Sequence, residues 1–432
     1  MEDNMKKNLV VIHMESLSNQ ILFQEMNNLK YFMKMKSESI DFPNFMSSAS
    51  SSIMAFTDFF YGNDWELDLT TNFENDFKIA KKDKNLFTIL HSEGYYAKGI
   101  AYPKPWKDEV NTYDIWDVPN NIYDYSSSNE EEFYHNIFNA MENAKKQELP
   151  LALHVWDIRS HLYYTDELKE KGKNFFERRS LGYQSIDRTF KNVVKYLDEL
   201  DMLDNTIIVA YGDHGDEFWS HSLNGGFCHS MEPYSTLVHT PCFVYDKTIK
   251  PSVNKNLVSL IDLKWIILDL LNINYNNKFD DIGCNALQIE REFVFSRNLL
   301  ANQTSKYNGV LRKSYSVTNK DYHLIISPLG LEFYMYKVDP HNTFNLLSFF
   351  AIDNNAEILD FDNRGAWHTH FRNVMRNDQI EDIKENFKIM YKELLRYVNK
   401  KNQYVLDNNG TNILKHINFR KIKEQGNYQW NA

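Results

Sequence analysis

Asp213 and His214 close a β-branched run, IIVAYG, and are followed by Gly215, Asp216 and Glu217, with further histidines at His221, His229 and His239. An oxygen donor beside a nitrogen donor can hold a divalent ion of the manganese or zinc type, and the glycine after them lets the backbone approach an anionic group. A strand that stops there would put both side chains at the carboxyl edge of a parallel sheet, where α/β proteins bind ligands. Alone, the pair could equally be a solvated polar loop, so its weight depends on similar clusters elsewhere.

Three such clusters exist. The first apolar run, NLVVIHM, ends in Glu15 and Ser16; a strand-end carboxylate is a usual metal ligand, although one that merely faces water reads the same way. A serine tract, SSASSS at 47–52, leads into an apolar helical pattern that stops at Gly62. A serine there could be a simple N-cap, or it could be cap and nucleophile together, because free N–H groups and the helix dipole favour an anion. The run PLALHVW ends in Asp157, Arg159 and His161. Arg159 could clamp a substrate oxygen or make an ordinary salt bridge; His13, His91 and His154 read as packed histidines.

The elements between these clusters alternate. A helix from Asn85 closes at Gly94 before a strand; helices follow at 130–146 and 178–200, strands at 150–157 and 207–212, then a strand at 242–246 and an apolar helix at 256–273. A Trp- and Pro-containing loop is expected at 105–121. From Glu290 the pattern changes to short strands, REFVFSR, SYSVTN, YHLIISP and LEFYMYKV, which predict a small antiparallel sheet, and an amphipathic helix spans 378–400 before a polar tail. The expected fold class is α/β, with a mixed, mostly parallel central sheet and helices on both faces. The expected division is a catalytic core at 1–289, an antiparallel β subdomain at 290–375, and a helix and tail at 376–432.

With 432 residues, 43% of them hydrophobic, the chain can bury a large core. A net charge of −11 argues against a nucleic-acid partner but not against an anionic substrate, since a bound cation reverses the local field. Three cysteines without a CxxC pair suit a reducing compartment. The run LVVI is too short for a signal peptide or a membrane span, so a cytoplasmic protein without a span is expected. Oligomeric state is left open.

Taken in order, NLVVIHMESL, SSASSSIMAFTDFFYG, LFTILHSEGYYAKGI, YQSIDRTFKNVVKYLDELDMLDNTIIVAYGDHGDE, the HTP turn at 239–241, LVSLIDLKWIILDLLNI and FYMYKVDPHNTFNLL resemble the sulfatase branch of the alkaline phosphatase superfamily. The resemblance implies that Glu15, Asp213 and His214 bind a divalent metal together with the nucleophile's oxygen. Counting back from Gly62, the family's nucleophile falls on Ser52, with Ser51 a close competitor. His161 and His229 match the family's substrate-side histidines, and Arg159, His221 and His239 are further substrate-binding candidates.

Two departures shape the expectation. Ser52 is followed by Ile53, Met54, Ala55 and Phe56, with no arginine, so conversion to formylglycine is not expected. The set Glu, hydroxyl, Asp and His is similar to that of lipoteichoic acid synthase and other phosphoglycerol or phosphoethanolamine transferases, which use manganese or zinc. The resemblance therefore implies one divalent ion, manganese or zinc first, with calcium or magnesium also open. It implies a phosphodiester substrate of the glycan- or glycerol-phosphate type, attacked by Ser52. The alternatives are a sulfate-ester hydrolase using unmodified serine, a two-metal phosphodiesterase in which Asp157 and His161 with His229 or His239 hold a second ion, and a non-catalytic binding module. The loops at 62–80, 102–130 and 162–178 would set the substrate.

Overall fold

A computed structural model describes residues 6–64, 85–103, 123–124, 127–161, 166–218, 221, 227–275, 283–298, 313–353, 358–361, 366–407, 412–419 and 422. The loop expected at 105–121 lies outside these residues, as does much of the three stretches expected to set the substrate. The described residues fall into two compact units, one of residues 6–64, 85–216 and 237–291, the other of 217–236 and those from 292 onward.

The first unit is built on eight strands: β1 (Asn8–Met14), β2 (Ile40–Asp41), β3 (Tyr96–Tyr102), β4 (Tyr123–Asp124), β5 (Leu151–Asp157), β6 (Thr206–Gly212), β7 (Cys242–Tyr245) and β8 (Ser252–Val253). They lie in the order β8-β2-β7-β6-β1-β5-β3-β4. Only β7 runs antiparallel to its neighbours β6 and β2; the remaining pairings are parallel. Strands covered on both faces read as unbroken apolar runs, and Leu9, Val10, Val11, Ile12, Ile207, Ile208 and Val209 are indeed wholly inaccessible.

Helices cover both faces, namely α1 (Lys30–Ser37), α2 (Ser52–Tyr61), α3 (Glu130–Lys146), α4 (Phe175–Glu199) and α5 (Leu263–Leu270). On one face α2 lays Phe56, Phe59 and Phe60 against His13, Tyr211 and His154, with ring centroids 5.9, 4.9 and 5.3 Å apart respectively. On the other, Phe32 of α1 and Phe190 of α4 meet Phe243 at 5.1 and 5.8 Å. Side chains alternate along a strand, so neighbouring residues such as Trp156 and Asp157 serve opposite faces.

Local signals fix where elements stop. Gly62 ends α2 with φ +64°, and its N–H bonds the Asp58 carbonyl; a left-handed residue at that position favours glycine. Helix α4 starts three residues before the expected 178 because the Asn174 side chain accepts from the Glu177 N–H. The helix expected at 256–273 is shorter. Val258–Ser259 pairs as a strand with Phe45–Met46, and Ser259 and Asp262 then form a capping box before the chain can turn helical.

In the second unit, β9 (Val294–Asn298), β10 (Ser314–Thr318), β11 (His323–Ser327) and β12 (Gly330–Tyr334) form the antiparallel sheet expected from the short-strand pattern. Helix α6 (Asn377–Asp407) packs on it through Tyr397 against Phe295 at 4.3 Å and Phe387 against Phe333 at 5.5 Å. The segment 217–236 joins this sheet: Tyr234 donates to Glu332 at 3.1 Å, and the Pro233 carbonyl accepts from His323 Nε2 at 2.7 Å. The contacts thus group 217–236 and the long helix with the late sheet, where the sequence suggested a contiguous division at 289 and 375.

Candidate metal centre

The parallel register pairs Met14 with Gly212, so the residues that follow each strand, Glu15 and Asp213, leave the sheet side by side. Gly212 is needed there, because a Cβ would sit 2.1 Å from the Leu17 carbonyl oxygen. Ser16 adopts φ +56°, a conformation L side chains rarely take. Tyr183 Oη donates to its carbonyl at 2.7 Å, and its N–H donates to Asp213 Oδ1 at 3.0 Å. The His214 N–H also donates to Oδ1, at 2.8 Å. With Oδ1 occupied in this way, Asp213 Oδ2 is buried without a hydrogen bond.

Ser52 is the first residue of α2. Ser51 takes the cap position in an extended conformation without making a side-chain cap bond, so the hydroxyl that reaches the carboxylates is that of Ser52. Its Oγ lies 2.9 Å from Glu15 Oε1 and 2.9 Å from His214 Nε2. His214 Nδ1 is 2.8 Å from the Gly215 carbonyl, an acceptor only, so the proton sits on Nδ1 and Nε2 presents its lone pair. Glu15 Oε2 accepts from Trp156 Nε1 at 3.0 Å.

This arrangement is short of hydrogens. Ser52 has one to share between two acceptors that are themselves 3.5 Å apart, and Asp213 Oδ2 stands 3.5 Å from the same imidazole nitrogen. Glu15, Asp213 and His214 are no more than 1% exposed, whereas Ser52 keeps partial access to solvent. Burial, and then the Asp213 charge beside it, push the Glu15 carboxyl well above the usual range. Burial alone would raise Asp213 too, but His214, His13 and the His214 N–H outweigh it and hold that carboxyl below its usual value. Two carboxylates, a hydroxyl and an imidazole lone pair therefore fit a divalent ion held by Glu15, Asp213, His214 and Ser52.

Asp157, Arg159 and His239 are engaged elsewhere. Asp157 projects from the opposite face of β5, where Arg159 engages both its oxygens, Nε to Oδ1 at 2.9 Å and Nη2 to Oδ2 at 2.7 Å. Arg159 Nη1 also meets Glu130 Oε1 at 2.6 Å, which makes this guanidinium a buried pin between β5, α3 and α4 and not a substrate clamp. With its oxygens so engaged, Asp157 is not placed to hold a second ion. His239 Nε2 donates to the Pro43 carbonyl at 2.8 Å and its residue bridges Met46, so it holds the approach to the serine tract. His221 belongs to the second unit, stacked on Tyr234 at 3.6 Å and paired with Glu217 at 3.1 Å, a structural setting; His229 belongs to that unit as well. His161 closes the turn after β5, its N–H bonded to the Ile158 carbonyl.

Of two further residues here, Trp156 is not singled out by the sequence and His13 reads there as a packed histidine. Trp156 orients Glu15, and His13 brings Nε2 to 3.2 Å from Asp213 Oδ2. The signal for His13 was present, since residues two apart on a strand share a face and His13 precedes Glu15 by two.

A family model described as Sulfatase matches residues 7–273. An arylsulfatase of Clostridium perfringens (strain 13 / Type A) is 28% identical over 169 residues, 38% of this chain and 34% of that protein, so the match spans about a third of that relative's length. The solved structure of yidJ from Bacteroides fragilis, described as a candidate sulfatase, superposes with a TM-score of 0.61 at 15% identity over 94% of this chain and 98% of that one. A protein of the alkaline phosphatase superfamily from Vibrio parahaemolyticus gives a TM-score of 0.55 at 13% identity over 91% and 88%. Both likenesses concern the fold.

Proposed function

The chain belongs to the sulfatase family, and from that premise we propose that it hydrolyses a sulfate ester, with Ser52 as nucleophile at a divalent-metal centre held by Glu15, Asp213 and His214. The observation that carries this reading is the Ser52 hydroxyl, 2.9 Å from both Glu15 Oε1 and His214 Nε2 on a residue that is only partly buried. The arylsulfatase similarity favours sulfur over phosphorus as the atom attacked.

A bound divalent ion supplies Lewis-acid stabilisation of negative charge and lowers the pKa of a hydroxyl beside it. The N-terminus of α2 adds its positive dipole end where the serine oxygen becomes anionic. Ser52 Oγ, its proton released to solvent, forms a bond to sulfur while the bond from sulfur to the alcohol oxygen breaks, and the departing alcohol takes up a proton. His161, at the turn after β5, is the proposed source of that proton. Water then attacks the sulfur and returns a proton to His161, the bond to Oγ breaks, Oγ regains a proton from solvent, and sulfate leaves with Ser52 restored.

A second reading, phosphodiester cleavage or transfer, is favoured by one specific feature. Ser52 stands before Ile53, Met54, Ala55 and Phe56, so its hydroxyl acts unmodified, and the donor set pairs a glutamate and a histidine with it. Parallel turnover of aryl sulfates, aryl phosphate monoesters and aryl phosphate diesters, with and without chelator, separates the two. The sulfate reading expects chelator-sensitive sulfate release, and activity confined to diesters would replace it with the second. Ser52→Ala should lower kcat by about 10³-fold or more with the fold intact; full activity in that variant would remove Ser52 from the mechanism. A cytoplasmic location is part of the proposal, in keeping with the free cysteines Cys242 and Cys284.

A further inference from the structure

His13 is wholly buried, and neither ring nitrogen makes a hydrogen bond. A buried imidazole with both nitrogens unsatisfied needs a reason, because leaving such groups unpaired is costly. The ring cannot turn away to find a partner: Trp156 stacks on one side at 5.1 Å and 9°, and Tyr211 on the other at 4.9 Å and 24°. Its backbone is fixed between β5 and β6 by the Trp156 and Tyr211 registers.

The spacing of the atoms around it is informative. Two atoms bonded to one zinc-type ion at about 2.0–2.2 Å, at angles between square and tetrahedral, stand about 2.8–3.6 Å apart. Here the separations are 2.9 Å from Ser52 Oγ to Glu15 Oε1, 2.9 Å from Ser52 Oγ to His214 Nε2, 3.5 Å from His214 Nε2 to Glu15 Oε1, and 3.5 Å from His214 Nε2 to Asp213 Oδ2. His13 Nε2 extends the series at 3.2 Å from Asp213 Oδ2, in an orientation that makes no hydrogen bond between them. Donor atoms of His13, Glu15 and Asp213 all lie within 4.8 Å of one another.

We propose that His13 is a further ligand of the ion at this centre, so that the protein offers two imidazole nitrogens and not one. The proposal rests on the metal-centre reading above and deepens it. Its consequence is a change of preference: carboxylate and hydroxyl donors alone suit calcium, magnesium and manganese, whereas a second imidazole shifts the site toward zinc-type ions.

The test uses the full chain loaded with copper(II), read by pulsed EPR, in which the remote nitrogen of each coordinated imidazole gives its own modulation. Wild type should show two coordinated imidazoles, and His13→Phe, which keeps an aromatic ring between Trp156 and Tyr211, should show one. Zinc affinity, measured by chelator competition, should fall in His13→Phe by more than the 10–100-fold typical of losing a group that merely orients a ligand, while calcium affinity changes little. A single imidazole in wild type, matched by unchanged zinc affinity in the variant, would overturn the proposal and leave the rest of the centre standing. The wild-type count decides the matter even if His13→Phe does not fold. A wild-type protein that binds none of these ions sinks both this proposal and the metal-centre reading beneath it.

Discussion

Replacing Arg159 by methionine separates its two readings, as a substrate clamp or as an internal pin. Methionine retains much of the side chain's volume over Tyr102 and Phe133, so the change isolates the charge. It deletes both bonds to Asp157 and the bond to Glu130 Oε1, leaving Asp157, which is 0% exposed, with Thr189 Oγ1 and a backbone N–H as its donors. Stranding a buried carboxylate in this way costs about 3–5 kcal/mol. A unit of this size loses roughly 2 °C of melting temperature per kcal/mol, so the expected fall is about 6–10 °C. Adding Asp157→Asn removes the stranded charge and should restore most of the loss. Urea denaturation and thermal melting of the two variants, with KM measured on any active ester at a temperature where both are folded, complete the assay. The reasoning fails if Arg159→Met melts with wild type and KM rises instead, because the guanidinium would then be meeting substrate.

Two further outcomes follow from the same contacts. Trp156→Phe removes the donor to Glu15 Oε2 while keeping a ring against His13, and divalent-ion affinity should drop about 10–100-fold; unchanged affinity in a competition titration would show that Glu15 needs no such support. In the second unit burial opposes the charge on both His221 and Glu217, but their mutual attraction outweighs it, raising the imidazole above its ordinary 6.5 and lowering the carboxyl below its ordinary 4.5. The histidine's contribution is whole below 6.5 and is lost as pH rises through its folded value; the glutamate's is whole above 4.5 and is lost as pH falls through its folded value. The melting difference between wild type and His221→Gln should therefore be greater near about pH 6 than near about pH 9, and a difference that does not vary with pH would discount the pair.

Much of the fold could be read from the chain because buried parallel strands and amphipathic helices leave different periods in it. The runs before Glu15 and Asp213 are mostly apolar and are buried at every position, as strands covered on both faces must be. What the order of residues did not convey was direction. Asp157, Arg159 and His161 looked like a third cluster at a strand end, yet alternation sends Asp157 to the face of α3 and α4 and Trp156 to the face of α2. Applied to the first strand, the same alternation places His13 with Glu15. His239 looked like a ligand type in a histidine-rich stretch; its partner, the Pro43 carbonyl, is 196 residues away and leaves no mark in the local sequence. The grouping of 217–236 with the late sheet escaped for a similar reason, since Tyr234 and His323 meet residues of distant segments.

The place of β6 in the sheet, between β1 and β7, governs when the protein can become reactive during its own synthesis. Glu15 and the serine tract leave the ribosome early, but their partners Asp213 and His214 follow only after roughly 160 more residues, which at about 5–20 residues per second is a delay of some 8–30 s. On the mechanism proposed above, the chain emerging during that interval carries Ser52 and Glu15 without Asp213 and His214, and a fragment that ends before them lacks the complete centre. On that mechanism, truncated products of interrupted translation would be inert at this centre.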